Sequence, residues 1–182
     1  VLFVHFLIIR AWHIIRSGNT QFSIILIMSV AVAVKPGCTD IGTDLVIQEV
    51  EKRLLKEIIA EEGNEGFLRI EDRVNAEIQE ERAVISPGGS VVYCENAMRH
   101  YKETGTIVYL HTSYETTNNR LHNAKNRGVV LKDGQTLKDL YEDRTALFER
   151  YADLTISEEG RDLEETIEEV LRVLENGLNV TK

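Results

Sequence analysis

Eight positions combine residue types suited to holding a small anion: Asp44, Arg69, Gly88, Gly89, Ser90, Arg120, Arg127 and Arg144. Arginine presents a planar, permanently charged fork that matches carboxylates and phosphates. Consecutive glycines let a ligand approach the main chain, whose N–H groups bind oxyanions. Asp44 adds a carboxylate that accepts hydrogen bonds from hydroxyl groups. Together these types suit a site for a small anionic polyol. Each also has an ordinary reading: Arg144 beside Glu142 and Asp143 fits surface pairing, and Gly88-Gly89 fits a plain turn. Only their order and spacing single them out. His100, His111 and His122 show no metal-ligand spacing. Cys38 and Cys94 form neither a disulfide framework nor a zinc pattern, and Cys94 has no partner histidine motif. A reducing, cytoplasmic location is therefore expected, with no metal held by the protein itself.

The elements that must position these residues are legible from residue 43 onward. Apolar residues at 46, 47, 50, 54, 55, 58 and 59 form a helical stripe over 44–62, with Gly63 as its stop. A second helix is predicted over 67–81. "AVIS" at 83–86 reads as a strand running into a glycine turn. "NAMRHYKETG" reads as a helix ended by Gly105, and 106–111 as a β-branched strand. Ser113 caps the start of a helix in "SYETTNNRLHNAKNRG". "GQTLKDLYEDRTALFERYAD" and "DLEETIEEVLRVLENG" are helices that flank a strand at 153–157. With "FSIILIM" supplying a strand at 23–28, strands alternate with helices. That order predicts an α/β fold whose parallel sheet is covered by helices on both faces. Ligands of such sheets bind at the carboxyl ends of the strands. This brings 43–44, 86–90, 111–113 and the loop near 120–135 to one edge.

Of the 182 residues, 43% are hydrophobic and 28% charged, enough for a packed core. The net charge of −9 excludes general affinity for nucleic-acid backbones, which needs clustered cations. The acidity is uneven. Residues 1–42 carry three cations and one acid and contain 25 apolar residues, whereas the remainder holds 18 cations and 29 acids. Residues 1–42 thus form an atypical apolar segment ahead of an α/β domain over 43–182. Its apolar runs, 13 residues over 22–34 and nine over 1–9, fall short of the roughly 20 needed to span a bilayer. "RSGNTQFSIILIMSVAVA" imitates the order of a secretory signal, but a buried strand is the reading preferred here.

From residue 43 to about 174 the chain resembles the shikimate kinase family, small P-loop kinases that phosphorylate the 3-hydroxyl of shikimate with ATP and magnesium. The stretches that carry the resemblance are "TDLVIQ", "IIAEEGNEGFLRIEDRV", "AVISPGGSVVY", "GTIVYLHTSYETTNNRL", "NRGVVL" and "LYEDRTALFERYADLTI", all collinear. The resemblance implies a P-loop-kinase-like three-layer fold. It assigns Asp44 to the substrate hydroxyls beside the reacting oxygen. Arg69 and Arg144 correspond to the substrate carboxylate clamp, although "FLRIE" sets Arg69 one position late, so that Leu68 takes the expected direction. Gly88 and Gly89 match two substrate-binding glycines, with Ser90 in place of a third. Arg127 resembles the lid arginine that closes on the transferring phosphoryl group, and Arg120 the arginine stacked on adenine. The implied partners are shikimate and ATP, and a monomer is expected, with no nucleic acid and no membrane. Gluconate and nucleotide kinases share this fold; three arginines favour a carboxylated acceptor over a nucleobase.

One family element is missing. The motif G-x-x-x-x-G-K-[ST] belongs ahead of Asp44, where this chain reads "IMSVAVAVKPGCTDIGTD". Lys35 is followed by Pro36, and Gly42 stands where a magnesium-shell aspartate is expected. Valine and alanine do not replace loop glycines, because their Cβ atoms oppose the left-handed conformations the loop uses. Codons for "SVAVAVKP", read from the third base of the serine triplet, specify Gly, Ser, Cys or Arg five times. A Lys-type codon and then Thr or Ala follow, which is compatible with a phosphate loop. Residues 1 to about 42 are therefore expected to be largely a frame-shifted translation. A chain that retains only acceptor binding is the alternative.

Overall fold

A computed structural model of the chain describes residues 23–27, 39–80, 83–123 and 134–178; for 23–27, 39–40, 120–123, 163 and 175–178 it describes the backbone alone. Five parallel strands make one sheet. They are β1 (Ser23–Ile27), β2 (Thr39–Gly42), β3 (Ala83–Ser86), β4 (Gly105–His111) and β5 (Leu154–Ser157), in the spatial order β2-β3-β1-β4-β5. β1 lies centrally, with Ile24 opposite both Val84 and Thr106. The helices are α1 (Thr43–Glu51), α2 (Leu55–Ala76), α3 (Glu95–Thr104), α4 (Tyr114–Asn123), α5 (Leu137–Tyr151) and α6 (Leu163–Leu178). A 3-10 turn at Val91–Tyr93 leads into α3. Among the described residues no helix is long and apolar enough to cross a membrane.

The period of two along the strands divides the core. Ala83, Ile85, Ile107 and Tyr109 face a cluster with Met98, Tyr101 and Phe148 from α3 and α5. Val84, Val108 and Leu110 face the opposite cluster, with Val170 and Leu174 of α6. Helices therefore cover both faces, as the alternation of elements requires, and both sides of β3 and β4 are apolar.

Three boundaries differ from the sequence expectation. β2 went unrecognised because it is a four-residue edge strand with one apolar side chain, Ile41; its pairing with β3 defines it, through Thr39↔Ala83 to Gly42↔Ser86. The helix expected over 44–62 breaks after Glu51, where Lys52 takes a left-handed conformation (φ 55°). A new helix starts at Leu55, and its entry is held by the Leu54 N–H donating to Glu57 Oε2 at 2.8 Å. The break lets α1 fold back on α2 and bury Ile47 against Ile58 and Val74. Gly63 leaves the helical conformation (φ 68°, ψ −177°) and divides α2 into two helical stretches, as expected, the second of which stops at Ala76 rather than at 81.

Capping side chains fix three further helix starts. The Ser113 hydroxyl accepts from the Thr116 N–H at 3.2 Å, as expected. Thr136 and Asp139 cap α5 reciprocally, at 3.1 and 2.9 Å. The N-terminus of α3 is capped from outside: Asp72 of α2 accepts from the Ala97 N–H at 2.8 Å and from Asn96 Nδ2 at 2.7 Å. This pair of bonds locks α2 to α3. The expectations for 1–22 and 28–38, including Lys35 and Cys38, lie outside the described residues, as do Arg127 and the side chains of Arg120 and His122.

Candidate functional site

The aligned pairing of β2 with β3 ends at Gly42↔Ser86, which brings the two strand exits side by side. One exit is the first turn of α1, carrying Asp44; the other is the turn Pro87–Ser90. Their meeting point is Gly88. A β-carbon placed there would lie 3.0 Å from Glu71 Oε1 and 3.4 Å from Asp44 Oδ1. At Gly89 a β-carbon would lie 3.2 Å from Arg144 Nη1. Two acids and one guanidinium thus border two consecutive residues of bare backbone.

Arg144 reaches this turn because it shares the inward face of α5 with Leu140 and Phe148, both buried. Phe148 stacks on Tyr109 at 5.0 Å and anchors that face to the sheet. The Arg144 guanidinium passes over the Tyr93 ring, 5.8 Å from its centroid. Its Nε is buried with no hydrogen-bond partner. A planar fork with an unengaged edge suits a carboxylate.

Glu71, absent from the sequence candidates, is the site's most constrained side chain. It is 0% exposed. The Tyr101 hydroxyl donates to Asn75 Oδ1 at 2.5 Å, and Asn75 Nδ2 donates to the Glu71 carbonyl at 2.7 Å, so buried bonds set this turn of α2. Glu71 Oε2 accepts a long bond from Cys94 Sγ at 3.8 Å, whereas Oε1 has no partner in hydrogen-bonding geometry. Burial pushes its acid up to about 7; the Ser90 hydroxyl opposes this, the Asp44 charge adds to it, and Arg144 opposes it. Burial, with Glu71 and Asp72 nearby, also pushes the Cys94 thiol up, leaving no thiolate for chemistry at neutral pH.

The other candidates divide. Ser90 lies at the turn beside Gly88, its Oγ 3.7 Å from the Gly88 β-carbon position. Arg69 points elsewhere: it is exposed, with Nη2 3.6 Å from the β-carbon position of Gly66. One residue step turns a helix by about 100°, and Leu68 takes the inward direction, packed against the core. His100 holds the Ile78 carbonyl at 2.7 Å. Among the described residues no group of three or more His, Cys, Asp or Glu side chains is arranged around a metal position.

Beyond Glu71 Oε1 and Arg144 Nε, the buried side-chain atoms without a partner among the described residues are Thr43 Oγ1 and Ser86 Oγ. Those two residues stand at the β2 and β3 exits, next in sequence to the paired ends of the two strands or part of them. Burying such atoms costs about 1–3 kcal/mol each unless a guest pairs with them. Eleven residues join Ile27 to Thr39, and the residues that the resemblance assigns to ATP and magnesium lie outside the described residues, save the backbone of Arg120.

A family model described as shikimate kinase matches residues 28–175. The chain is 30% identical to a shikimate kinase of Persephonella marina over 140 residues, 76% of this chain and 85% of that one. It is also 30% identical to one from Vibrio cholerae over 139 residues, 74% and 79% of the two. The fold is similar to that of a shikimate kinase from Acinetobacter baumannii solved with shikimate (TM-score 0.76, 22% identity, 92% of this chain and 99% of that one). It also resembles that from Aquifex aeolicus (TM-score 0.68, 25% identity, 86% and 98%).

Proposed function

Because the chain belongs to the shikimate kinase family, we infer that its cleft binds shikimate as a phosphoryl acceptor. The observation that carries this reading is the convergence of Asp44, Gly88, Gly89 and Arg144 at the joined exits of β2 and β3. In it, Arg144 grips the carboxylate with two parallel charge-assisted bonds. Asp44, in the first turn of α1, accepts from a ring hydroxyl and orients it. The bare backbone at Gly88 and Gly89 lets the ring lie against the turn. The A. baumannii relative solved with shikimate supports the choice of acceptor.

The family reaction transfers phosphate from ATP, with magnesium, to the 3-hydroxyl, and belongs to aromatic amino-acid biosynthesis in the cytoplasm. The residues described here account for the acceptor half of that reaction. Arg120 and Arg127 are assigned to the nucleotide half by resemblance. The eleven-residue link from β1 to β2 favours a second reading, in which the chain binds the acceptor without transferring phosphate to it.

Calorimetric titration with shikimate, paired with its methyl ester, tests the reading. Shikimate is expected to bind and the ester to bind at least about tenfold more weakly, since it cannot form the charge-assisted pair. Absence of binding by shikimate, with a response to gluconate or a nucleoside monophosphate, would replace the acceptor.

A further inference from the structure

We propose that Tyr93 is a positioning residue of this cleft, its ring holding the Arg144 guanidinium in place for a guest carboxylate without using any of its N–H donors; the proposal rests on the acceptor-binding reading above. Arg144 has a task that an ordinary partner would spoil. A carboxylate neighbour would fix the guanidinium, but it would also occupy the fork and cancel the charge. Among the described residues no ion pair within 4 Å engages Arg144, and its buried Nε has no hydrogen-bond partner. The acids Glu71 and Asp44 border the neighbouring Gly88, whereas the guanidinium borders Gly89. What Arg144 does have is an aromatic neighbour, with Cζ 5.8 Å from the centre of the Tyr93 ring. A ring face attracts a guanidinium through its quadrupole. The five N–H groups lie in the guanidinium plane, so that contact spends none of them.

Tyr93 can serve as a platform because its own place is fixed. The 3-10 turn carries it: the Tyr93 N–H donates to the Ser90 carbonyl at 3.0 Å, and the Cys94 N–H to the Val91 carbonyl at 2.8 Å. Val91 and Val92, just before it, are buried in the core. Tyr93 itself is half-buried against the cluster that contains Phe148. Phe148 stands one helical turn beyond Arg144 on α5, so a single apolar cluster seats both sides of the contact. The same short turn presents the bare backbone of Gly88 and Gly89. A carboxylate arriving at Gly89 thus meets a guanidinium already held in place, and little side-chain freedom remains to be lost on binding. Without the ring, Arg144 regains rotamers that binding must remove again.

Calorimetric titrations of the full chain with shikimate and with its methyl ester test this, because the ratio of the two affinities reads the carboxylate contact. A general disturbance of the cleft weakens both ligands and leaves the ratio unchanged. Tyr93→Leu removes the ring face; it is expected to lower shikimate affinity about five- to tenfold and ester affinity less than about twofold. Tyr93→Phe keeps the face and should recover most of the wild-type ratio. If Tyr93→Leu does not fold, Tyr93→Met takes its place, with a long side chain that has no ring, and the same fall in the ratio is expected. A ratio that the aliphatic variant leaves unchanged, or that Tyr93→Phe lowers as far, overturns the proposal. If the wild type still prefers shikimate to the ester, the acceptor reading then stands. A wild type that binds neither ligand, or binds both equally, overturns the two together.

Discussion

Arg144→Ala is expected to reduce shikimate affinity by about 100-fold or more while leaving the fold intact. Removing one partner of a desolvated, hydrogen-bonded charge pair costs about 3–5 kcal/mol, and each 1.4 kcal/mol is about a factor of ten in affinity. The fold should tolerate the change. Leu140 and Phe148 bury the same face of α5 on either side, and Arg144 forms no ion pair within 4 Å among the described residues. Its loss also removes a positive charge that lowers the Glu71 acid, so that acid holds its proton to higher pH. Arg144→Lys should recover only part of the affinity, because an ammonium keeps the charge but not the planar two-pronged edge. Calorimetry on the two variants beside a melting curve decides the matter. Unchanged affinity in a folded Arg144→Ala protein would mean that the carboxylate is not held here.

How far the sequence foretells this site depends on which residues announce themselves. Glycines directly after a strand do so, and Gly89 meets Arg144, whose own neighbours Glu142 and Asp143 suggest surface pairing and which the resemblance singles out. Asp44 was reached by resemblance, and the pairing of β2 with β3 delivers it. Glu71 was overlooked because "RIEDR" has the composition of a solvated helix face. A signal was nonetheless there: Glu71 falls four residues after Phe67 and three before Val74, on the stripe that packs inward, where an acid is out of place. Arg69 shows the reverse. Its residue type suits the chemistry, but a single step of helical phase carries it to solvent. The edge strand β2 and the break at Lys52 follow from packing between distant segments, and neither has a local pattern strong enough to reveal it.

The second large effect concerns nucleotide. Titration of the chain with ATP and magnesium is expected to give a dissociation constant no tighter than about 1 mM, against micromolar values typical of built substrate sites. Turnover with shikimate should be correspondingly poor in a coupled assay, and undetectable on the second reading, in which the acceptor binds without transfer. Phosphate grips of this fold need several backbone N–H groups turned inward at a helix N-terminus, which glycines allow and β-carbons obstruct. β1 ends at the centre of the sheet, between β3 and β4, where strand order reverses and such a grip belongs. Eleven residues separate Ile27 of β1 from Thr39 of β2, which lies on the far side of β3. Two strand spacings sideways and one strand length back come to about 20 Å. Eleven extended residues reach about 36–40 Å, but a helix of eleven spans only about 16 Å. Eleven residues are enough for the distance, but too few in number for both an eight-residue loop and a helix of several turns. A sub-micromolar dissociation constant for ATP would refute this reading of residues 28–38. Sequencing the source DNA in three frames locates the cause: a glycine-rich Lys-Thr run in an alternative frame ties the loss to a shifted reading frame, and its absence places the loss in the chain itself.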